Sequence, residues 1–367
     1  MDILNLEELF NNNVSDEHKD DLVQILDEFK RGHYPNVLSK LKTLRENNEL
    51  HTDLVKKLWM VEAICHAEIG ESRAASEIIS KLYMDDDSDL MLLGELAFMC
   101  DYKLARRIMS AAVKQMEEEE ETYRIKLARG FLVLAEVEEK LEKFVRSVKY
   151  FQKGLGYFEE EDNRDKYMIL YIHFKIGMLY SMQNKGEESI SYLNKVIEMA
   201  GNDNDELKIK SLVSIAKTYG SKDQNKQAYP YLEEALQLLE GSSLVNTIAH
   251  AEALTEMAYF YFDKSQHNEA VPYYQDAIER YNNLQFPSHR QLGMIHMQYA
   301  YCLEHKERSS IQNAGENYEK AIELLELTKD RQLQENALAD VIAFFDNTNN
   351  PKKKRYYENK FVEMANS

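Results

Sequence analysis

The sequence predicts an all-α protein, a right-handed superhelical solenoid of about nine helical hairpins in one continuous array. Three observations carry this expectation. First, an apolar residue followed by a small one recurs along the chain, in most copies with an apolar or aromatic residue three further on. The series is Leu134-Ala135, Ile176-Gly177 with Tyr180, Ile215-Ala216 with Tyr219, Met257-Ala258 with Tyr261, Tyr299-Ala300 with Leu303, and Leu338-Ala339 with Ile342, the small residues about 39 to 42 positions apart. Second, a small-x6-small pattern follows each of these, as in Ser147-Phe151-Gly154, Ser189-Leu193-Val196, Ala228-Leu232-Ala235, Ala270-Tyr274-Ala277 and Ala314-Tyr318-Ala321. Steps of four and three put all three residues on one helix face, where small side chains let two helices approach and the large one fills the gap. Third, the 367 residues include only 13 glycines and 5 prolines, and no strand-period segment of useful length. Length alone would suggest about two domains, but the repeat overrides that prior.

Taken in order, residues 3–47 read as two helices joined by Gly32-His33-Tyr34-Pro35. Residues 52–84 carry Trp59, Ala63, Ala75 and Ile79 at compatible spacing, and 88–116 form a shorter hairpin around Gly94, Ala105 and Ala112. These divergent hairpins make an N-terminal part, 1–120, suited to docking a partner. The regular repeats occupy 121–328. Their turns are expected at Asn184-Lys185-Gly186, Asp223-Gln224-Asn225 and Gln266-His267-Asn268, and the acidic stretches Glu159–Asn163 and Gly201–Asp205 separate units. Pro230 and Pro272 are expected in the first turn of their helices, where a missing N–H is tolerated. A capping hairpin, 329–367, closes the array with Leu338-Ala339 against a helix ending Phe361-Val362.

Charge and composition narrow the function. Lys and Arg number 45 against 64 Asp and Glu, a net charge of −19. No basic excess is available to displace counterions from phosphates, which argues against a general nucleic-acid binder and against docking on an anionic membrane. Cys65, Cys100 and Cys302 are too scattered for a disulfide framework or a zinc site. Met1–Glu8 has neither a basic n-region nor an apolar h-region, and no uncharged apolar run approaches the roughly 20 residues of a membrane span. A reducing cytoplasm is the expected compartment.

The small-and-aromatic signature resembles the tetratricopeptide repeat, most clearly over 131–324, although the period here is longer than the standard 34. A narrower resemblance is to the Rap, NprR and PlcR group of bacterial peptide-pheromone receptors. It rests on the long period, the acidic chain, the segment Ala270-Val271-Pro272-Tyr273-Tyr274-Gln275-Asp276-Ala277-Ile278 with Phe286-Pro287-Ser288, and Glu46-Asn47-Asn48-Glu49-Leu50-His51. That last stretch is similar to the acidic segment ending in Leu-His in the N-terminal bundle of Rap phosphatases. The resemblance places Asn48 where the family has its catalytic glutamine, one methylene longer, and Asn48 and His51 at a partner-docking surface. The DNA-binding members of the group carry an N-terminal helix-turn-helix domain. Here the first hairpin begins within the first few residues, so this chain by itself is not expected to bind an operator.

No catalytic motif is visible: neither Gly-x-Ser-x-Gly, nor a Walker loop, a dinucleotide fingerprint or His-Glu-x-x-His. His289 and His296 lack a nearby carboxylate cluster and read as surface or packing residues. Glu117–Glu121 and Asp85–Asp87 lack the spaced ligands and glycine of a calcium loop and read as solvated helix ends. Lys352–Arg355 reads as part of the terminal cap. No catalytic residue, metal or cofactor is expected.

The informative surface is the concave one, lined by the first helix of each hairpin. Counting from each small anchor along that helix gives the inward positions. The peptide-binding candidates among them are Arg129, Tyr171, Lys175, Lys210, Lys217, Glu256, Tyr259, Gln298, Tyr301 and Asn336, in a face that also includes Glu136, Phe262 and Asp340. Lys175, Lys210 and Lys217 suit a carboxylate or acidic side chain, and Tyr171, Tyr259 and Tyr301 suit stacking and apolar walls. Tetratricopeptide grooves commonly hold ligand backbone with asparagines two residues before the anchor. Here those positions are Val133, Lys175, Ser214, Glu256, Gln298 and Ala337, of which only Gln298 and Ser214 could substitute.

Three readings follow. The first is a cytoplasmic regulator whose groove takes a short signalling peptide and thereby switches conformation or partner binding. The second is a Rap-like phosphatase acting on the aspartyl phosphate of a response regulator, and the third a passive scaffold between larger proteins. The partners expected are a short peptide and a protein such as a response regulator, with no nucleic acid and no membrane. A homodimer is compatible with either the solenoid ends or the groove.

Overall fold

The computed structural model describes residues 19–47, 50–85, 88–160, 165–201, 205–222, 224–285 and 287–366. Expectations placed on residues 3–18, on Asn48 and Glu49, on Asp86 and Asp87, on Asp223 and Phe286, and on positions 161–164 and 202–204 concern residues outside these. The described residues form eighteen α-helices and no strand. They run α1 (Lys19–Lys30), α2 (Tyr34–Asn47), α3 (Thr52–Glu68), α4 (Ser72–Tyr83), α5 (Leu90–Phe98), α6 (Tyr102–Glu117), α7 (Glu120–Lys140), α8 (Phe144–Glu160), α9 (Lys166–Met182), α10 (Gly186–Ala200), α11 (Asp205–Gly220), α12 (Asn225–Glu240), α13 (Ile248–Asp263), α14 (His267–Asn282), α15 (His289–His305), α16 (Ile311–Glu326), α17 (Arg331–Asn347) and α18 (Pro351–Asn366). Taken in pairs, these are nine hairpins of a first helix, A, and a second, B, the number read from the repeat. Two compact units divide the chain, residues 1–179 and 180–367.

In the first unit one apolar cluster joins α1, α2 and α3 through Leu22, Ile25, Val37, Leu41, Leu58 and Val61. A larger one runs from α3 to α7 through Ile79, Leu93, Ile108, Met109, Phe131 and Val137. In the second unit α11, α12 and α13 share Ile209, Leu212, Leu239 and Ala253. Tyr274, Tyr281 and Ile295 fill the space among α13, α14 and α15, and Tyr318, Val341, Phe344 and Tyr357 that from α15 to α18. Within each unit these hairpins therefore bury apolar faces against their sequence neighbours, which is how a repeat array is stabilised.

The small-x6-small residues are buried in every copy, from Ser147 and Phe151 through Ala314, Tyr318 and Ala321. Their smallness is used directly. A Cβ on Gly154 would lie 3.3 Å from the Ala128 carbonyl oxygen, and the Ser147 hydroxyl donates to the Ala135 carbonyl at 2.7 Å. The helix-A anchors Ala135, Gly177, Ala216, Ala258 and Ala300 are buried as well. The last copy departs from the spacing: Ala339 is exposed, and Ala337, Leu338 and Val341 face the core instead.

Six of the nine A-to-B turns share one geometry. Three residues link the helices, and the middle one has positive φ: Gly32, Gly70, Glu142, Asn184, Ser265 and Asn349. The third residue's N–H then donates five residues back, as His33 to Glu28, Glu71 to His66, Lys143 to Glu138, Lys185 to Tyr180, Gln266 to Tyr261 and Asn350 to Phe345, at 2.7–3.0 Å. This is the Schellman closure of a helix C-terminus. It places the turns earlier than the sequence suggested, because α10 and α14 already begin at Gly186 and His267. For the same reason Pro230 and Pro272 are the sixth residues of α12 and α14, not members of the first turn, and each removes one N–H from its helix. Lys352–Arg355 opens α18, where the helix dipole disfavours positive charge; Lys353 pairs with Glu319 and Lys354 with Asp346, both at 2.8 Å.

Candidate functional site

Heptad-like spacing along the A helices aims every fourth or third residue to the same side. In the first unit that side is built by α7 and α9. Tyr171 donates its hydroxyl to Glu136 at 2.8 Å, and Lys175 donates to Glu139 at 2.7 Å. Burial holds the Glu136 carboxyl above the ordinary carboxylate range, against the pull of the Tyr171 bond and the Lys175 charge. Burial, then the Glu136 charge, raises the Tyr171 hydroxyl. Arg129 is exposed, and its charge opposes the burial that raises the Glu95 carboxyl. Partner-docking candidate His51 is exposed, 3.8 Å from the Asp53 carboxylate.

In the second unit the positions come from α11, α13, α15 and α17. Lys210 pairs with Glu206 one turn earlier, and Lys217 with Glu252 on the next A helix at 3.2 Å. A ligand carboxylate at Lys175, Lys210 or Lys217 would have to compete with an acid already there. Half-buried Glu256 has its carboxyl raised by burial, with Lys217 pulling the other way. Tyr259 stacks on Phe262 at 6.1 Å between ring centres. Gln298 accepts the Tyr274 hydroxyl at 3.2 Å, and exposed Asn336 accepts the Gln332 amide at the same distance.

Gln298 and Tyr301 belong to a cleft of about 330 Å³ in this second unit. Phe262 of α13 stands at one side; Gln298, Tyr301, Glu304 and His305 line it from α15, Tyr318 from α16, and Asp340, Phe344 and Asn347 from α17. Its aromatic rings are mutually braced: Tyr301 stacks on His305 at 4.0 Å and meets Phe262 edge-on at 5.5 Å, and Tyr318 lies 4.8 Å from Phe344. His267 joins the group edge-on to Tyr301 at 5.6 Å, its pKa lowered by burial and by His305. The Tyr318 hydroxyl donates to Glu304 at 3.1 Å.

Sequence reasoning named Tyr301 and Gln298 but not Glu304, His305, Phe344 or Asn347 as a shared site. Continuing each inward face by one or two more turns, from Tyr301 to Glu304 and His305 and from Asp340 to Phe344 and then Asn347, would have found them. Among the described residues no group of three or more His, Cys, Asp or Glu is placed to hold a metal ion, and no helix is long and apolar enough to cross a membrane. Cys65 and Cys302 are buried, and burial lifts both thiols to about 12.

Tetratricopeptide-repeat family profiles match residues 170–203, 209–238 and 250–284. No curated protein matches the sequence. Among solved structures, the apo form of RapI is similar at a TM-score of 0.62 and 15% identity, over 96% of this chain and 98% of that one. The apo form of the quorum sensor NprR from B. thuringiensis aligns at 0.58 and 14%, over 96% and 100%. Aspartyl phosphate phosphatase F from Bacillus subtilis aligns at 0.54 and 15%, over 97% and 96%. The chain therefore carries tetratricopeptide repeats within 170–284 and shares the helical-repeat fold of the Rap and NprR structures.

Proposed function

We propose that the chain is a cytoplasmic regulatory protein that binds a short signalling peptide on the face of its A helices, and that occupancy shifts it between conformations or partner-binding states. The observation that carries this reading is the aromatic-walled cleft at Gln298 and Tyr301. A linear peptide needs such a pocket for an apolar side chain beside polar groups for its backbone, and Gln298 and Asn347 are placed to supply the latter. The fold shared with a quorum sensor supports it. In this reading Lys210, Lys217, Glu256, Tyr259 and Asn336 are further contacts on the second unit's face, and Arg129, Tyr171 and Lys175 are candidate contacts on the first unit's own face. Residues 1–120, with Asn48 and His51, dock a protein partner such as a response regulator, 121–328 hold the peptide, and 329–367 cap the array.

The test is native mass spectrometry of the full chain after incubation with a pool of short peptides from the source organism. A peptide of defined mass is expected to be retained, and Tyr301→Ala, which truncates a partly exposed side chain, is expected to weaken it about tenfold or more while leaving helicity unchanged. No retained peptide, from a pool that the folded chain has met at micromolar concentration, would overturn the reading.

A further inference from the structure

Positive charge gathers on two neighbouring B helices of the first unit, in a chain of net charge −19. Residues 102–116 of α6 carry Lys103, Arg106, Arg107 and Lys114 and no acid; residues 143–158, most of them in α8, carry Lys143, Arg146, Lys149 and Lys153 and no acid. Steps of four and seven put Lys103, Arg107 and Lys114 on one face of α6, and a step of three joins Arg146 to Lys149 on α8. All five are exposed. The two stripes are neighbours: both helices pack on α7, and Lys153 of α8 pairs with Glu117 of α6 at 3.5 Å. Short links turn the chain back at each end of α7, so α6 and α8 run parallel, and the register fixed by that ion pair sets Lys149 level with Lys114.

Lysines elsewhere already meet acids, as Lys175, Lys208 and Lys217 do. On this surface Arg106 is drawn to the buried Glu138 at 4.0 Å and Lys153 is taken by Glu117, but among the described residues no carboxylate pairs with Lys103, Arg107, Lys114, Arg146 or Lys149. The nearby Asp101 carboxylate is spent on the backbone N–H groups of Lys103 and Leu104. Arg107 is held in place by the Tyr83 ring, 5.3 Å beneath its guanidinium. The patch is short. From Lys103 to Lys114 it runs about 16 Å, the reach of about five residues of extended chain. Acids close it at both ends, Asp101 and Glu142 at one, Glu117, Glu118, Glu159 and Glu160 at the other. A nucleic-acid strand would carry its phosphates past these ends into the acids, and an anionic membrane would face the negative charge of the whole chain. A few clustered carboxylates fit between the ends. We propose that the exposed stripes of α6 and α8 dock a short acidic segment of a partner protein, with Lys103, Arg107, Lys114, Arg146 and Lys149 as its counter-charges. This surface lies on B helices, apart from the peptide face and from Asn48 and His51, and the inference does not rest on the peptide reading.

The experiment measures fluorescence anisotropy of end-labelled probes with the full chain at about 50 mM salt, where surface charges are weakly screened. The probes are the peptide Gly-Ser-Glu-Asp-Glu-Asp-Glu-Ser-Gly, its neutral counterpart with glutamine and asparagine for the acids, and an oligothymidylate of matched charge. The acidic peptide is expected to bind about tenfold or more tightly than the neutral one, and raising the salt should erase the difference. Arg107→Glu combined with Lys149→Glu should weaken the acidic peptide about tenfold or more, with helicity unchanged. Lys222→Glu combined with Lys226→Glu, the same charge change on exposed residues of the second unit, should leave it within about twofold. Equal binding of the acidic and neutral peptides, or none, overturns the proposal. Equal losses from the two pairs of substitutions reduce the effect to net charge and overturn it as well. Oligothymidylate that binds as tightly as the acidic peptide, and is lost with the same α6 and α8 substitutions, assigns the surface to nucleic acid instead. A wild-type dimer in light scattering that those substitutions return to a monomer assigns it to a second copy, which equally overturns the proposal. Each of these outcomes leaves the peptide reading standing.

Discussion

The A-helix face at α7 and α9 and that at α15 and α17 use the same positions for opposite ends. On α7 and α9 the polar side chains are spent on one another: Tyr171 on Glu136, and Lys175 on Glu139. On α15 and α17 the equivalent face keeps Tyr301 and Asp340 open to solvent around a cleft. Repeat spacing decides which side chains share a face. Whether that face is closed by internal pairs or left open for a ligand depends on the complementarity of residues about one repeat apart, and a single repeat does not reveal it.

Substitutions can break or sharpen this contrast. The largest effects should come from the cores beneath the two faces. Phe131→Ala and Tyr274→Ala, each deleting a fully buried ring, should cost about 3–5 kcal/mol in urea unfolding. Hydrogen exchange should rise around α6–α8 in the first variant and around α13–α15 in the second; a uniform rise over the whole chain would count against nearest-neighbour stabilisation. Next are the two tyrosines of the faces. Tyr171→Phe strips a half-buried carboxylate of its donor and should cost about 1–2 kcal/mol, whereas Tyr301→Phe should stay within about 0.5 kcal/mol. Equal costs would erase the distinction between a closed and an open face.

A pH series separates the buried acids. Glu136 and Glu256 both have carboxyls raised by burial, so the folded chain holds protons that the unfolded chain releases. Their ionisation therefore destabilises the fold as pH climbs from the usual carboxylate range through the raised folded value. Glu256→Gln should raise the Tm at pH 7 and leave it unchanged below the carboxylate range, where the wild-type side chain is already neutral; a lowered Tm at pH 7 would show that the Lys217 attraction outweighs burial. The smallest effects are at the turns. Glu142→Gly and Ser265→Gly place glycine in a left-handed position and should each gain about 0.5–1 kcal/mol in thermal unfolding, while Asn184→Gly gains less.

Much of the fold was legible. The helix-B triplets and five of the six helix-A anchors are buried where the spacing put them, because a repeat restates the same packing demand in each copy. The last anchor failed at Ala339, where Ala337, Leu338 and Val341 face the core instead. The expected turns lie late because their polar triplets run into the next helix, which already begins at Gly186 and His267, and the left-handed slot itself accepts Glu142 and Ser265, which carry no turn signature. Within the site, facing direction was legible for Tyr301, Gln298 and Asp340. Pairing was not: Lys217 meets Glu252 and Tyr171 meets Glu136 at separations of about one repeat, and side-chain reach across helices is not written in the spacing.

The shared turn has an evolutionary consequence. A connector that closes on backbone hydrogen bonds alone, and asks only for one left-handed residue, makes no demand on the faces of the helices it joins. Hairpins linked this way can be duplicated, lost or diversified as interchangeable modules. The polar partners on an A face then drift from copy to copy while the connection between helices stays the same.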